Sequence, residues 1–253
     1  MANVTAIYFS PTGNSEKSVM AIANAISDDV KVVDLAASAE APQIQFGADD
    51  LVIIGGPVYG GRIVKAAMAR MNGLKGNGTP CIIVASYGNR HYDDALVEMQ
   101  DVFTEAGFII AGAAAPIGRH TFGEIQVDRP NADDLAETAE FANKVMEKIA
   151  SGADIAAFEI PGNRPYKDGG NGGKFRPLTS DDCVNCGLCK KKCPMAAIAE
   201  DNKTINDDLC ISCFRCIRKC PVKAKNLDTP AYNSFAEGFT EKLKERRENE
   251  FYF

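Results

Sequence analysis

The first 150 residues alternate short apolar runs with stretches in which apolar residues recur at helical spacing. Five runs predict strands, at residues 4–9, 30–34, 51–55, 81–85 and 108–115. Helical spacing predicts helices at residues 15–25, 63–71 and 92–106, and a longer helix that starts at Asn131. The third and fourth runs are apolar almost throughout, as strands buried on both faces are. Strands that alternate with helices predict an α/β fold with a doubly wound, five-stranded parallel sheet.

The pattern changes after residue 155. Residues 156–175 are rich in glycine and lack periodicity, which predicts a linker, either disordered or packed on its neighbours. Most of the cysteines follow it, and the end of the chain is highly charged. The predicted organisation is a first domain at 1–155, a Gly/Pro-rich linker at 156–175, a small domain at 176–230 and a charged tail helix at 231–253.

Composition and charge exclude some classes of partner. The chain has 253 residues and a net charge of −6, which argues against a nucleic-acid backbone as its partner. No apolar stretch approaches the roughly 20 residues that span a bilayer, and the N-terminus lacks the basic segment and cleavage site of a signal peptide. We therefore expect a cytoplasmic protein with no membrane span, in which clustered thiols bind metal rather than form disulfides.

Eight of the nine cysteines form two copies of the pattern C-x-x-C-x-x-C-x-x-x-C-P. This spacing is typical of [4Fe–4S] clusters, in which three close thiolates bind one cluster and the fourth reaches the other. Structural zinc is the alternative, but zinc sites usually combine two C-x-x-C pairs. The predicted sets are Cys183, Cys186, Cys189 and Cys220 for one cluster, and Cys210, Cys213, Cys216 and Cys193 for the other. The ninth, Cys81, opens a buried strand and is expected to be a core residue.

Residues 176–230 resemble the bacterial two-cluster ferredoxins throughout. The resemblance implies a small α+β, ferredoxin-like domain that holds two [4Fe–4S] clusters.

Three loops that follow predicted strands carry hydroxyls, glycines and tyrosines. The first lies before a helix, where free N–H groups and the helix dipole favour an anion, although such a loop could merely cap the helix. In order along the chain, the loops resemble the phosphate loop and the two ring loops of flavodoxins, over residues 1 to about 150. The resemblance implies FMN bound by Ser10, Thr12, Gly13, Asn14, Ser15, Pro57, Val58, Tyr59, Gly60, Gly61, Ser86, Tyr87, Gly88, Asn89, Arg90 and Tyr92.

The flavin loops depart from the flavodoxin pattern in two ways. The chain has no tryptophan to stack on the ring, so a tyrosine of these loops would have to do so. Arg62, Arg90 and His91 stand near the ring loops, where flavodoxins often carry acidic residues. Positive charge there would favour the reduced flavin, although both arginines could equally form surface ion pairs. The phosphate loop itself contains no basic residue, so we expect neutral donors to hold the phosphate.

Two functions from different classes follow. The whole chain resembles the flavodoxin–ferredoxin fusion proteins of anaerobic prokaryotes, which implies an electron carrier that couples one-electron and two-electron partners, with a ferredoxin-like donor or acceptor. The alternative is an FMN-dependent reductase of a small molecule, such as a quinone, a nitro compound or an activated double bond. The catalytic residues are unknown in either case. The sequence also leaves open whether the two domains face each other within one chain or across a homodimer.

Overall fold

The computed structural model describes residues 3–253. Its strands are β1 (Asn3–Tyr8), β2 (Val30–Asp34), β3 (Ile44–Gln45), β4 (Asp50–Tyr59), β5 (Arg62–Ile63), β6 (Leu74–Lys75), β7 (Thr79–Ser86), β8 (Phe108–Ala115), β9 (Leu178–Thr179), β10 (Lys225–Asn226) and β11 (Glu250–Tyr252). Its helices are α1 (Asn14–Ile26), α2 (Lys65–Met71), α3 (Ala95–Glu105), α4 (Ala132–Ala150), α5 (Leu188–Lys191), α6 (Arg215–Arg218) and α7 (Pro230–Lys242). Within residues 3–253, none of the helices has the length and the apolar character needed to cross a bilayer.

The first domain is built on a central sheet with the strand order β2-β1-β4-β7-β8-β11. The first five strands of that order pair in parallel, in a register that sets Val4 opposite Val30 and Leu51. The predicted doubly wound, five-stranded parallel sheet is therefore confirmed. The strand order changes direction beside β1, where the crossover from β2 to β4 passes over the sheet, and ligands bind at such a switch point.

Two apolar cores cover the two faces of the sheet. One core joins alternate strand residues such as Ile54 to α2 and α3, and the other joins residues such as Ile53 to α1 and α4. Cys81 is fully buried in the first core, and its burial raises the pKa of its thiol. This thiol is therefore a small apolar core residue at neutral pH.

The second domain is small and has its own core. A two-stranded sheet of β9 and β10 accompanies the single turns α5 and α6, and Cys189, Ile198 and Cys216 pack together between them. Arg70 of α2 joins this domain to the first, because its guanidinium donates to the carbonyl oxygens of Leu35 and Pro194.

The segment that precedes the second domain is packed rather than free. Gly170 donates its N–H to the Tyr59 carbonyl oxygen at 2.7 Å and accepts from the Lys65 N–H at 2.8 Å. Its φ of +73° is a backbone conformation that glycine adopts without strain. The segment is thereby held against the end of β4 and the start of α2.

The tail differs from the single charged helix that the sequence predicts. Thr229 caps α7 through its side chain and Pro230 follows, but the helix ends at Lys242. Residues 250–252 then form β11, which pairs antiparallel with β8. The consecutive aromatic residues at the end of the chain explain the strand, since Phe251 stacks on Phe141 of α4 at 5.0 Å between ring centroids.

A buried ion pair ties this tail to the first domain. The side chains of Arg129 and Asp134 are 0% and 1% exposed, and Arg129 Nε donates to both carboxylate oxygens at 2.9 and 3.0 Å. Asn249 donates to the same carboxylate at 3.0 Å, and Arg129 donates to the Arg247 carbonyl oxygen at 2.7 Å. Burial alone would raise the pKa of Asp134, but the hydrogen bonds and the Arg129 charge outweigh it and lower that pKa.

We expect Asp134→Ala to reduce the free energy of unfolding by about 3–5 kcal/mol, because it leaves the Arg129 guanidinium buried without a counter-charge. Chemical denaturation followed by circular dichroism measures the change. Glu140→Ala is the matched control, since it removes a carboxylate from the exposed Glu140–Lys144 pair of the same helix and should leave stability nearly unchanged. Similar losses in the two variants would contradict the role of the buried pair.

Candidate functional site

A cavity lies at the carboxyl ends of the parallel strands β1, β4, β7 and β8. Its empty volume is about 440 Å³, including the part that opens to solvent. It is lined by Ser10, Pro11, Thr12, Asn14, Ser15, Pro57, Val58, Tyr59, Ser86, Tyr87, Gly88, Arg119, His120 and Thr121. The structure thus brings ten of the sixteen residues predicted for FMN to one cavity.

The N-terminus of α1 forms one wall of this cavity. The helix starts after Gly13, which has a φ of +95° and no side chain with which to cap the helix. The Ser10 hydroxyl accepts from the Glu16 N–H at 3.0 Å, and the Ser15 and Ser86 hydroxyls are 2.6 Å apart. Hydroxyl groups and first-turn N–H groups therefore meet where a helix dipole favours an anion.

The loop after β8 also reaches the cavity, and the sequence analysis did not include it in the site. Asn14 holds the loop by donating its side-chain N–H to the Arg119 carbonyl oxygen at 2.8 Å. Arg119 also lines a site for which neutral donors alone were expected, with its guanidinium paired to the Glu124 carboxylate at 2.9 Å. The Arg119 Nε and the Tyr87 hydroxyl are buried and lack a hydrogen-bond partner among residues 3–253. Buried polar groups usually have partners, so these two atoms indicate a missing ligand.

The other predicted FMN residues lie outside this cavity. Gly13 is the residue before α1, Gly60 lines an adjoining cavity, and Gly61 packs against Asp93. Asn89, with a φ of +63°, turns toward the tail and donates to the carbonyl oxygens of Leu243 and Glu245 at 2.8 and 2.7 Å.

Arg90 and Tyr92 make structural contacts of the same kind. Arg90 forms an ion pair with Asp93, and its carbonyl oxygen accepts from Arg247 of the tail. The Tyr92 hydroxyl is within hydrogen-bond distance of Glu250 and Tyr252, at 2.8 and 2.7 Å. The Arg90 carbonyl oxygen and the Tyr92 side chain hold the tail in place, and the FMN contacts predicted for these two residues remain a prediction.

Arg62 does not face the cavity. It forms a bidentate pair with Glu98 at 2.6 and 2.7 Å, and its guanidinium lies over the Tyr166 ring at 4.4 Å from the centroid. Of the two alternatives for this arginine, the structure shows the ion pair.

His120 brings an uncharged imidazole to the cavity. Burial lowers its pKa, the nearby Arg90 and Arg218 charges lower it as well, and together they outweigh the hydrogen bond with Phe122, so the pKa falls from an ordinary 6.5 to about 4. The Phe122 N–H donates to His120 Nδ1 at 2.8 Å, so in the neutral ring the proton lies on Nε2. The site therefore contains one N–H donor that carries no charge at pH 7.

A second cavity, of about 360 Å³ including its opening, lies in the small domain. Four cysteines line it, Cys193, Cys210, Cys213 and Cys216, together with apolar residues such as Ile198 and Phe214. These four are the set that the spacing assigns to one cluster. Burial raises the pKa of the Cys213 and Cys216 thiols to about 12, so they ionise readily only beside a positive centre such as a metal.

The remaining set is nearer to the surface, with Cys186 exposed and Cys183 and Cys220 half-buried. Burial tends to raise the pKa of Cys220, but the backbone N–H groups of residues 222–225 together outweigh it and lower that pKa. N–H groups grouped in this way stabilise a thiolate ligand. No three His, Cys, Asp or Glu side chains in the described part of the chain converge closely enough to hold a single metal ion.

The two cysteine loops share an unusual backbone. Asn185 and Ser212, each directly before the second cysteine of its copy, have φ values of +54° and +53°. Gly187 and Phe214, directly after it, have φ values of +72° and +57°. Left-handed residues among right-handed ones turn successive N–H groups toward one point, which makes an anion-binding concavity. Soft thiol donors inside such concavities fit an iron–sulfur cluster, whose sulfides accept hydrogen bonds.

A third cavity, between the two domains, adjoins the first. It shares Val58, Tyr59, His120 and Thr121 with the first cavity, and Ser212 of the cysteine loop forms part of its opposite side. Burial raises the pKa of Tyr59 well above its ordinary value, and negative charge at the nearby Cys213 and Cys210 raises it further. Arg218 of the small domain donates to the His120 carbonyl oxygen at 3.3 Å. The elongated site therefore extends from α1 to the loop that carries Cys210 and Cys213.

We expect His120→Gln to reduce the acid sensitivity of folding. The folded-state pKa lies below the ordinary value, so the unfolded chain binds the proton first, and stability falls as the pH drops from about 6.5 to about 4. The loss due to His120 is at most about 3 kcal/mol. Denaturation of the wild type and the variant at pH 7 and pH 4.5 measures it, and an identical pH dependence in both would contradict the prediction.

The sequence matches two family models. A model described as a flavodoxin domain matches residues 5–88, and a model described as a 4Fe-4S dicluster domain matches residues 178–221. Comparison with curated protein sequences gives no match. The two domains support a role for FMN and iron–sulfur centres in electron transfer or oxidoreduction, and they imply redox partners.

Several solved structures resemble the first domain at low identity. Oxidised Flavodoxin 1 from Bacillus cereus is 18% identical, with a TM-score of 0.42, over 58% of this chain and 98% of its own. A flavodoxin from the domain Archaea is 16% identical, with a TM-score of 0.37, and the match covers 59% of this chain and 99% of that flavodoxin. Rubredoxin oxygen:oxidoreductase from Desulfovibrio gigas is 15% identical, with a TM-score of 0.39, and the match covers 59% of this chain and 36% of that enzyme.

The strand order, the cavities and the two family models are consistent with the same two domains. The chain carries a flavodoxin domain and a 4Fe-4S dicluster domain in one polypeptide, as a flavodoxin–ferredoxin fusion.

Proposed function

We propose that this protein is an electron carrier that transfers electrons between two [4Fe–4S] clusters and FMN, and so couples one-electron and two-electron redox partners. The observation that carries the proposal is the cavity between the domains, which is lined by Tyr59 of a flavin loop on one side and by Ser212 of the Cys210–Cys213 loop on the other. A flavin accepts one or two electrons, whereas a [4Fe–4S] cluster transfers one at a time.

The residues at the α1 end of the site would hold the FMN phosphate. Ser10, Thr12, Asn14 and Ser15 offer hydroxyl, amide and first-turn N–H groups, and Arg119 adds a positive charge. Gly88 lets its loop approach the His120 loop closely, because a Cβ at position 88 would lie 2.8 Å from the His120 Cα. The ring would extend from there between Tyr59 and His120 toward the small domain.

The cysteine set of the buried cavity would hold the cluster on the flavin side. Cys193, Cys210, Cys213 and Cys216 line that cavity, and Phe214 joins it to the aromatic side chains at the domain junction. The other set, with Cys186 exposed, would hold the cluster nearer to an external partner. Electron transfer inside the protein would therefore follow the order external partner, outer cluster, inner cluster and flavin, in either direction.

The surroundings of the flavin site support the carrier over the small-molecule reductase. Basic residues beside the flavin would favour the reductase, but Arg62 and Arg90 form ion pairs with Glu98 and Asp93 instead of lining the cavity. Residues 171–173 of the preceding segment and Ser212 of the small domain line the adjoining cavity, so the cysteine loop borders this side of the site.

Anaerobic purification followed by iron, sulfide and flavin assays tests the cofactors. We expect about eight irons and one FMN per chain. Zinc in place of iron, or no flavin released on denaturation, would contradict the proposal. A panel of quinones and nitro compounds serves as the comparison, since rapid turnover of one of them would favour the reductase.

We expect Cys213→Ala to abolish electron exchange between the flavin and the clusters, because it removes a ligand of the inner set. Cys186→Ala is the matched control, since it removes the equivalent ligand of the outer set and should preserve exchange with the inner cluster. Photoreduction of the flavin in each variant, followed by rapid freezing and EPR detection of the reduced clusters, measures the exchange without an external electron donor. Exchange that survives Cys213→Ala and fails in Cys186→Ala would reverse the proposed order.

A further inference from the structure

The small domain contains a buried lysine that neither the cysteine motif nor the flavin site explains. Lys225 of β10 is 2% exposed. Its Nζ donates to the Thr179 hydroxyl at 2.6 Å across the β9–β10 pair, and it lies 3.4 Å from the Lys203 carbonyl oxygen. Both partners are neutral, so they satisfy hydrogen bonds of the ammonium without balancing its charge.

No carboxylate within residues 3–253 lies within 4.0 Å of the Lys225 Nζ, although other cations of the domain have such partners, as in the Arg176–Asp207 and Lys190–Glu200 pairs. Asp201 is near enough for an electrostatic interaction with Lys225. However, it is exposed, and its carboxylate accepts hydrogen bonds from the Thr204 hydroxyl and from backbone N–H groups. A buried ammonium without a counter-ion has a large desolvation cost, so a negative group should face it.

Lys225 adjoins cysteines of both sets. Its strand β10 packs beside α6, which carries Cys216 of the inner set, and its backbone N–H is one of those grouped at the Cys220 thiol of the outer set. Cys216 and Cys189 of the outer set also share the small apolar core around Ile198. The ammonium is therefore buried in the part of the small domain that holds ligands of both sets, where the surrounding protein has low polarity.

We propose that Lys225 is the shared counter-charge of the two clusters and that it raises the reduction potentials of both. The inference rests on the cluster assignment of the proposed function. Reduction adds one electron to a cluster that its thiolates already make negative, and a buried positive charge favours that step more strongly than a solvated one. Lys225 would thus act through the clusters and would be a positioning charge rather than a catalytic residue.

The test is a redox titration of the holoprotein, with dithionite as the reductant, dye mediators, and EPR detection of the reduced clusters. Lys225→Met removes the charge and keeps the length of the side chain, so we expect both midpoint potentials to become more negative. Lys225→Arg keeps the charge and should remain close to the wild type. Lys191→Met is the matched control, because it removes one positive charge from an exposed position two residues before Cys193 and should shift the potentials much less.

Equal shifts in Lys225→Met and Lys191→Met, or no shift at either cluster, would overturn the proposal. A shift at one cluster alone would overturn the shared role. If Lys225→Met assembles no clusters, Lys225→Gln replaces it and is judged by the same shifts. A wild-type protein without clusters would fail in the iron assay, before any potential is measured, so failure of the proposed function is distinguishable from failure of this inference.

Discussion

Parallel pairing of the first five strands is the constraint on which the flavin site depends. Because β1, β4, β7 and β8 run in one direction, the loops that follow them emerge at one edge of the sheet. The α1 N-terminus, the Tyr59 loop, the Tyr87 loop and the Arg119 loop thereby come together from four distant parts of the sequence. The small domain packs over the same edge, with Ser212 of its Cys210–Cys213 loop lining the adjoining cavity.

Aromatic packing holds the small domain over this edge of the sheet. Phe122 of the first domain lies 5.5 to 5.9 Å between ring centroids from Phe214 of the small domain, Phe175 of the preceding segment and Phe235 of α7. Edge-to-face aromatic contacts of this kind bury large areas and restrict orientation. His120 belongs to the same packing through Phe239, at 5.0 Å, which explains how a flavin-site histidine becomes buried and neutral.

The sheet could be predicted, and the eight clustered cysteines could be singled out, because both signals are local. Alternating apolar runs and a repeated cysteine spacing need no knowledge of distant contacts. The Arg119 loop carries the same kind of signal as the other loops, with Gly118 and Thr121, and its position after a parallel strand could have indicated it. Asn89 and Arg90 are next to the cavity in sequence, but the left-handed backbone at Asn89 turns them toward the tail. That contact, and the β11–β8 pairing, join residues more than 100 positions apart, so no local pattern predicts them.

The position of β11 changes how the small domain is attached. Since the last strand returns to the sheet of the first domain, the iron–sulfur domain is an insertion within the flavodoxin fold, fastened on both sides, and not an appendage on one tether. A domain attached on both sides cannot move away as a whole to reach an external redox partner, so that partner has to bind to the domain where it is. The placement of the cysteine domain relative to the sheet is then set by both attachments, and β11 reaches the sheet edge because the chain returns from that domain.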